Sequence, residues 1–203
     1  MDGIVRRRGM MEIPSSAPVE TWDFEWDYTM GLPENNGMTK TISGAVSIEM
    51  TADGLKVSQG TVGNYYVRYD PPTEIMSNGY GVGEATYVVH PINDNNRANV
   101  RLLVSNGNNG GGTTTPNEML KIYDAATVSA GTTIAHYDAD TELTERIVLK
   151  GGTFDVYLNG VLVLSDYLCS NILYATANRV FAQGMNGGYA IFKSIKFKFN
   201  RIA

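Results

Sequence analysis

The sequence predicts an all-β fold, a two-sheet antiparallel sandwich with an extended N-terminal arm. Three observations carry this. Apolar and polar residues alternate in run after run, the period of a strand with one buried face. Turn residues punctuate these runs at short intervals, and glycine alone fills 22 of 203 positions. No helical period continues beyond about two turns. Hydrophobic residues at 43% and charged residues at 18% give a globular balance, and one domain of this length builds its core without disulfides or metals.

The arm comes first. Residues 1–20 hold Arg6, Arg7 and Arg8, then Pro14 and Pro18, which oppose helix and ladder alike. The sandwich is expected over residues 21–203. Its opening run alternates, with Trp22, Phe24, Trp26 and Tyr28 on one face and Asp23, Glu25 and Asp27 on the other. Residues 32–37 break it. Ile42, Gly44, Val46, Ile48 and Met50 alternate as a further strand, and Asp53-Gly54 turns the chain back into Leu55, Lys56 and Val57. β-rich runs follow at 65–69, 85–89, 100–104, 119–123, 146–149 and 179–182, with glycine-rich 106–112 as a long flexible loop. The clearest hairpin spans 153–164. Asn159-Gly160 takes the left-handed angles of a type I′ turn, so Leu158 should pair with Val161 and Val156 with Val163. The last strand, 189–199, places Ile191, Ile195, Phe197 and Phe199 on one face and Ser194, Lys196 and Lys198 on the other. The runs amount to about a dozen strands without an internal repeat.

Charge narrows the partners. Of the formal −5, residues 1–11 contribute +2 and residues 190–203 contribute +4, which leaves −11 on the body. An acidic body is a poor match for a phosphate backbone, so nucleic acid is not an expected partner. No stretch reaches the roughly 18 apolar residues of a membrane-crossing helix, and no membrane partner is expected. The arginines are not followed by the apolar core of a secretory signal. In the arm, Met10, Met11 and Ile13 suit pockets on a partner protein while Arg6, Arg7 and Arg8 pair with its acids, which makes the arm an anchor.

Candidate chemistry is sparse. Cys169 lies in an apolar stretch and reads as a small buried hydrophobe, and His90 and His136 share no metal-ligand spacing. Asp23, Glu25 and Asp27 set three carboxylates on one strand face, and sandwich glycosidases use acids spaced in this way. Here, however, the order is Asp-Glu-Asp on the first strand of the domain, and carboxylates on an exposed strand face need no catalytic explanation. Asp138, Asp140 and Glu142 offer calcium-type oxygens but lack an EF-hand's glycine and spacing. The glycines of 79–83 precede a strand and not a helix, so they make no phosphate loop. No catalytic residue, metal site or cofactor is assigned. Tyr65, Tyr66, Tyr69, Tyr80, Tyr137 and Tyr174 remain as aromatic faces for a sugar, several beside asparagine-rich loops.

Two resemblances attach to these residues. The early aromatic strand, the DVYLNG hairpin at 155–160 and the terminal IFKSIKFKF strand at 191–199 resemble the concanavalin A-like and laminin-G-like jelly-roll family over about residues 21–200. That family implies a jelly-roll sandwich and hosts lectins, hydrolases and scaffolds. The opening residues 4–11 and the segment FEWDYTMGLPENNG at 24–37 resemble minor structural proteins of tailed phages. That likeness implies a non-enzymatic virion component of the head or tail-fibre type, made in the bacterial cytoplasm. It would be homo-oligomeric, held to other virion proteins by its arm, and would display a lectin-like sandwich toward host-surface glycans through Tyr65, Tyr66, Tyr69, Tyr80 and Tyr137. The alternative is a carbohydrate-binding module or glycoside hydrolase of the same fold.

Overall fold

The computed structural model describes residues 21–58, 66–72, 80–90, 99–104, 111–116, 118–123, 130–168, 178–183 and 188–198. The arm residues Arg6, Arg7, Arg8, Met10, Met11 and Ile13 lie outside these, as do Tyr65, Cys169, Tyr174 and Phe199.

The strands are β1 (Phe24–Asp27), β2 (Thr39–Ser43), β3 (Ser47–Thr51), β4 (Gly54–Ser58), β5 (Tyr66–Asp70), β6 (Tyr80–His90), β7 (Asn99–Val104) and β8 (Gly111–Thr114). They continue as β9 (Met119–Tyr123), β10 (Ala130–His136), β11 (Glu142–Lys150), β12 (Thr153–Leu158), β13 (Val161–Leu168), β14 (Asn178–Gln183) and β15 (Tyr189–Lys198). Two short 3-10 turns, Tyr28–Met30 and Pro33–Asn36, are the helical elements among the described residues. The large sheet runs β13-β12-β11-β6-β15-β4-β3, with β1 also paired to β15, and the small sheet runs β10-β9-β8-β7-β14-β5-β2. Every pairing between them is antiparallel. The expected sandwich is therefore present.

Alternation builds the core. Leu55, Val57, Ala85, Tyr87, Ile147, Phe154 and Phe192 from the large sheet join Val67, Tyr69, Leu102, Leu120 and Ile122 from the small one in a single buried cluster. Each large apolar side chain buried there contributes roughly 1.5–3 kcal/mol against chain entropy. Trp26 is fully buried, and its Nε1 donates to Gly31 O at 2.8 Å, which satisfies the one polar atom of the ring. Asn36 Nδ2 donates to Met30 O and Leu32 O, tightening the loop that crosses Trp26.

Several local expectations are corrected. Residues 42–50 are not one strand. Gly44, at φ 77°, lets the chain leave the small sheet after β2 and enter the large one at β3. Part of the presumed loop 106–112 is strand, because Gly111 and Gly112 pair with Val104 and Leu103. In the Asn159-Gly160 hairpin, Leu158 pairs with Val161 as expected, but Val156 faces Leu164 and not Val163. Val163 is an extra residue on β13, and a second shift occurs near Ser165 and Asp166. Buried Asp155 holds that second bulge: its Oδ1 accepts from Asp166 N at 2.9 Å while Lys150 meets its Oδ2 at 2.6 Å. On β15 a bulge at Lys193 reverses the alternation. Phe192, Ile195 and Phe197 face the core, and Ile191 lies on the opposite face beside Val88.

Candidate functional site

The outward face of the large sheet carries the site. β6 and β11 pair without a break over nine positions, from Glu142 opposite Val88 to Lys150 opposite Tyr80. Their alternation sends Ala85, Tyr87, Glu145 and Ile147 inward and Glu84, Thr86, Thr144, Arg146 and Val148 outward. The ladders place one row of side chains across the sheet: Glu25 of β1 beside Lys196 of β15, then Glu84 of β6, Arg146 of β11, Tyr157 of β12 and Leu162 of β13. Lys196 Nζ reaches Glu25 Oε1 at 2.9 Å, and Arg146 Nη1 stands 3.7 Å from Glu84 Oε2.

A groove of about 420 Å³ opens along this row, lined by Glu84, Thr144, Arg146, Val148, Tyr157 and Gly160. That volume falls in the range of small-ligand sites. Trp22 flanks it. The sequence pattern placed Trp22 with the core residues Phe24 and Trp26, but its ring lies 5.6 Å from the Arg146 guanidinium and 5.7 Å from Lys196 Nζ, both on the outward face. The chain enters β1 only at Phe24, so strand alternation does not govern Trp22. The indole attracts both cations and helps fix the guanidinium at the groove. The hairpin closes one end: Thr144 N donates to Asn159 Oδ1 and Asn159 N donates to Thr144 O, each at 2.8 Å.

Behind the groove, between Thr144 and Arg146, Glu145 points the other way and is fully buried. Tyr87 OH donates to its Oε2 at 2.7 Å, and Thr113 Oγ1, from the small sheet, donates to its Oε1. One carboxylate thus ties the two sheets. Burial pushes its pKa up to about 7, although both hydroxyl bonds pull it down. Tyr87 is driven well above the usual phenol value, by burial first and then by Glu145.

The tyrosines expected to bind sugar are dispersed. Tyr69 is in the core, its phenol raised above the usual value by burial and then by Glu34. Tyr137 is half-buried. Its OH donates to Thr115 O at 2.9 Å, and burial is the main reason its pKa is pushed up to about 12. Tyr66 lies on β5 in the small sheet. Tyr80 sits at the end of β6 against the turn after β11, where a Cβ on Gly151 would collide with its hydroxyl oxygen. The structure does not bring these four to one surface. The carboxylates singled out earlier are engaged locally: Glu25 with Lys196, Asp27 accepting from Thr29 N at 2.8 Å, and Asp140 with His90. No group of three side chains suited to a metal occurs among the described residues. The groove residues Glu84, Arg146 and Tyr157 carried no individual mark in the sequence; only the row formed by pairing distant strands makes them a site.

The fold has known counterparts. The chain is similar to the carbohydrate-binding module CBM66 from Bacillus subtilis, at TM-score 0.57 and 16% identity over 79% of this chain and 96% of that one. It is similar to the carbohydrate recognition domain of Emp46p in its metal-free form, at TM-score 0.59 and 8% identity over 88% and 98%. It also resembles a structure from work on endo-acting O-glycanases of the human gut microbiota that initiate mucin breakdown, at TM-score 0.62 and 11% identity over 88% and 99%. No protein-family model matches the chain, and no curated protein matches it in sequence. These likenesses show the fold alone, an antiparallel β-sandwich shared with carbohydrate-binding and carbohydrate recognition domains. One fold serves enzymes as well as binding domains, so activity has to be argued from the site.

Proposed function

We propose that the chain is a non-catalytic glycan-binding sandwich and that the groove beside Trp22 is its binding surface. The carrying observation is the row Lys196, Glu84, Arg146, Tyr157, in which hydrogen-bond donors and an acceptor alternate next to aromatic rings. A sugar needs this combination: donors and acceptors for its hydroxyls, and an aromatic or aliphatic surface for its C–H face. Hydrolysis by the common route requires two carboxyl groups, about 5–5.5 Å or 6.5–9.5 Å apart. Among the described residues lining the groove, Glu84 is the one carboxylate, and it faces Arg146. The full chain on a glycan array should retain a defined subset of glycans, and Arg146→Ala should lose that subset without loss of fold. Retention of all signals by the variant would move binding elsewhere.

The particle role is a second part of the proposal. It rests on the basic, methionine-containing segment 1–13 and on the likeness of 4–11 and 24–37 to tailed-phage structural proteins. In this reading the arm docks on another virion protein and the sandwich faces outward as a homo-oligomer, gaining avidity for host-surface glycans. Simultaneous change of Arg6, Arg7 and Arg8 to Ala in the full chain should abolish its incorporation into purified particles. A chain that is absent from particles even without the change would end this reading.

A further inference from the structure

We propose that Trp22 sets the length of glycan that the groove reads, holding it to a disaccharide-sized stretch; this rests on the glycan-binding reading. The row of outward side chains crosses β1, β15, β6, β11 and β12 in register, from Glu25 through Lys196, Glu84 and Arg146 to Tyr157. Among the described residues, the groove's lining stops at Glu84, short of Lys196 and Glu25. Trp22 stands at that end. Its ring lies 5.6 Å from the Arg146 guanidinium and 5.7 Å from Lys196 Nζ, so the indole spans the two strands on either side of Glu84. Past the ring the face opens again: the Lys196 side chain is 24% exposed, and the Glu25 side chain, one strand further out, is 51% exposed.

The place of the ring follows from where the ladder begins. Asp23 N donates to Phe197 O at 3.0 Å, and Trp22, one residue ahead of that bond, folds back over the outward face. Attraction to the two cations holds it there, each contact worth about two- to fivefold in an equilibrium. A sugar extending from Glu84 toward Lys196 would have to enter the volume the indole fills. Strand spacing converts this into glycan length. From Tyr157 to Glu84 the row covers two spacings, roughly 10 Å, and from Tyr157 to Glu25 it covers four, roughly 19 Å. The first is the span of a disaccharide and the second that of a tetrasaccharide. The hairpin, through the Thr144–Asn159 bonds, closes the other end, so the ring decides how many sugars fit along the row.

The test is calorimetry on the full chain with cello-, xylo-, malto- and chito-oligosaccharides, each from the disaccharide to the hexasaccharide. In the wild type, affinity for at least one series should level off at the disaccharide. In Trp22→Ala it should go on rising to the tetrasaccharide, by about tenfold, the equivalent of one or two further hydrogen bonds. Adding Lys196→Ala to Trp22→Ala should remove that gain, because Lys196 is the donor that the opened row offers. Emission from Trp26, the second of the two tryptophans and fully buried, reports that the variants keep the fold. If both proteins level off at the same length, or the wild type itself keeps rising, Trp22 is not the stop and the glycan reading survives. If Trp22→Ala weakens every length alike while Trp26 emission is unchanged, the ring is a stacking surface and the length assignment fails. If no sugar binds either protein at millimolar concentration, both readings fail.

Discussion

Glu145 and Arg146 are neighbours on β11 and live in opposite surroundings. Arg146 lies half-exposed in the groove, with Glu84 and the Trp22 ring beside it. Glu145 is fully buried, and its hydrogen-bond partners are two hydroxyls, one from each sheet. Water and opposite charge keep the arginine inexpensive to hold. Burial makes ionisation costly for the glutamate, whose pKa rises to about 7. One step along a strand therefore separates a group available for recognition from a group that ties the sandwich together.

The sharpest way to break this contrast is Glu145→Ala. It leaves Tyr87 OH and Thr113 Oγ1 facing a cavity, and on the order of 4 kcal/mol of stability should disappear at pH 5, read from the urea midpoint. A change below about 0.5 kcal/mol would show that the inter-sheet tie contributes nothing.

A pH series follows from the same residue. Its folded pKa, about 7, lies above the ordinary 4.5, so the folded state holds the proton more tightly than the unfolded chain. The contribution is complete below pH 4.5 and is lost as pH rises through 7, about 3 kcal/mol in all. Glu145→Gln keeps an acceptor and removes the ionisation. The difference between wild type and this variant should carry the pH dependence, with the variant the more stable at pH 8.5. Parallel curves for the two proteins would show that another group is responsible.

Asp155→Ala probes an intermediate case, a buried acid that does have a cation, Lys150. It should cost about 2 kcal/mol and loosen the β13 bulge, seen as faster amide exchange at Asp166. Arg146→Ala should have the smallest effect on stability, within about 0.5 kcal/mol, because the arginine is partly exposed and its ion pair with Glu84 is long, at 3.7 Å. It should nevertheless abolish glycan capture. Equal losses of stability at 145 and 146 would erase the distinction between the two faces.

Much of the fold was legible from periodicity. The opening run, the Asn159-Gly160 hairpin and the terminal strand all appear, and the turn expected at Asp53-Gly54 appears one residue earlier, with Gly54 already opposite Thr51, because one-sided burial writes a period of two into the sequence. The errors share a cause. Residues 42–50 alternate without interruption across a change of sheet, and the bulges at Val163 and Lys193 shift alternation in ways that apolar spacing alone does not display. Glu145 did leave a trace, since it falls on the parity of Leu143, Ile147 and Leu149, the buried positions of β11.

The candidate site was not legible. The tyrosines stand out in the sequence by their chemistry alone, and burial and local bonds occupy Tyr69 and Tyr137. Glu84, Arg146 and Tyr157 come from three strands spread over some seventy residues of chain, and register alone sets them side by side.

By itself the sequence determined the fold class, most of the strands and the hairpin turns, because these depend on spacing within a few residues and on the conformational freedom of glycine and asparagine. Tertiary structure decided the rest: which strands became neighbours, which side of the bulges each residue took, and where Trp22 came to lie. Those outcomes depend on pairing between distant segments, and no short stretch of the chain contains that information.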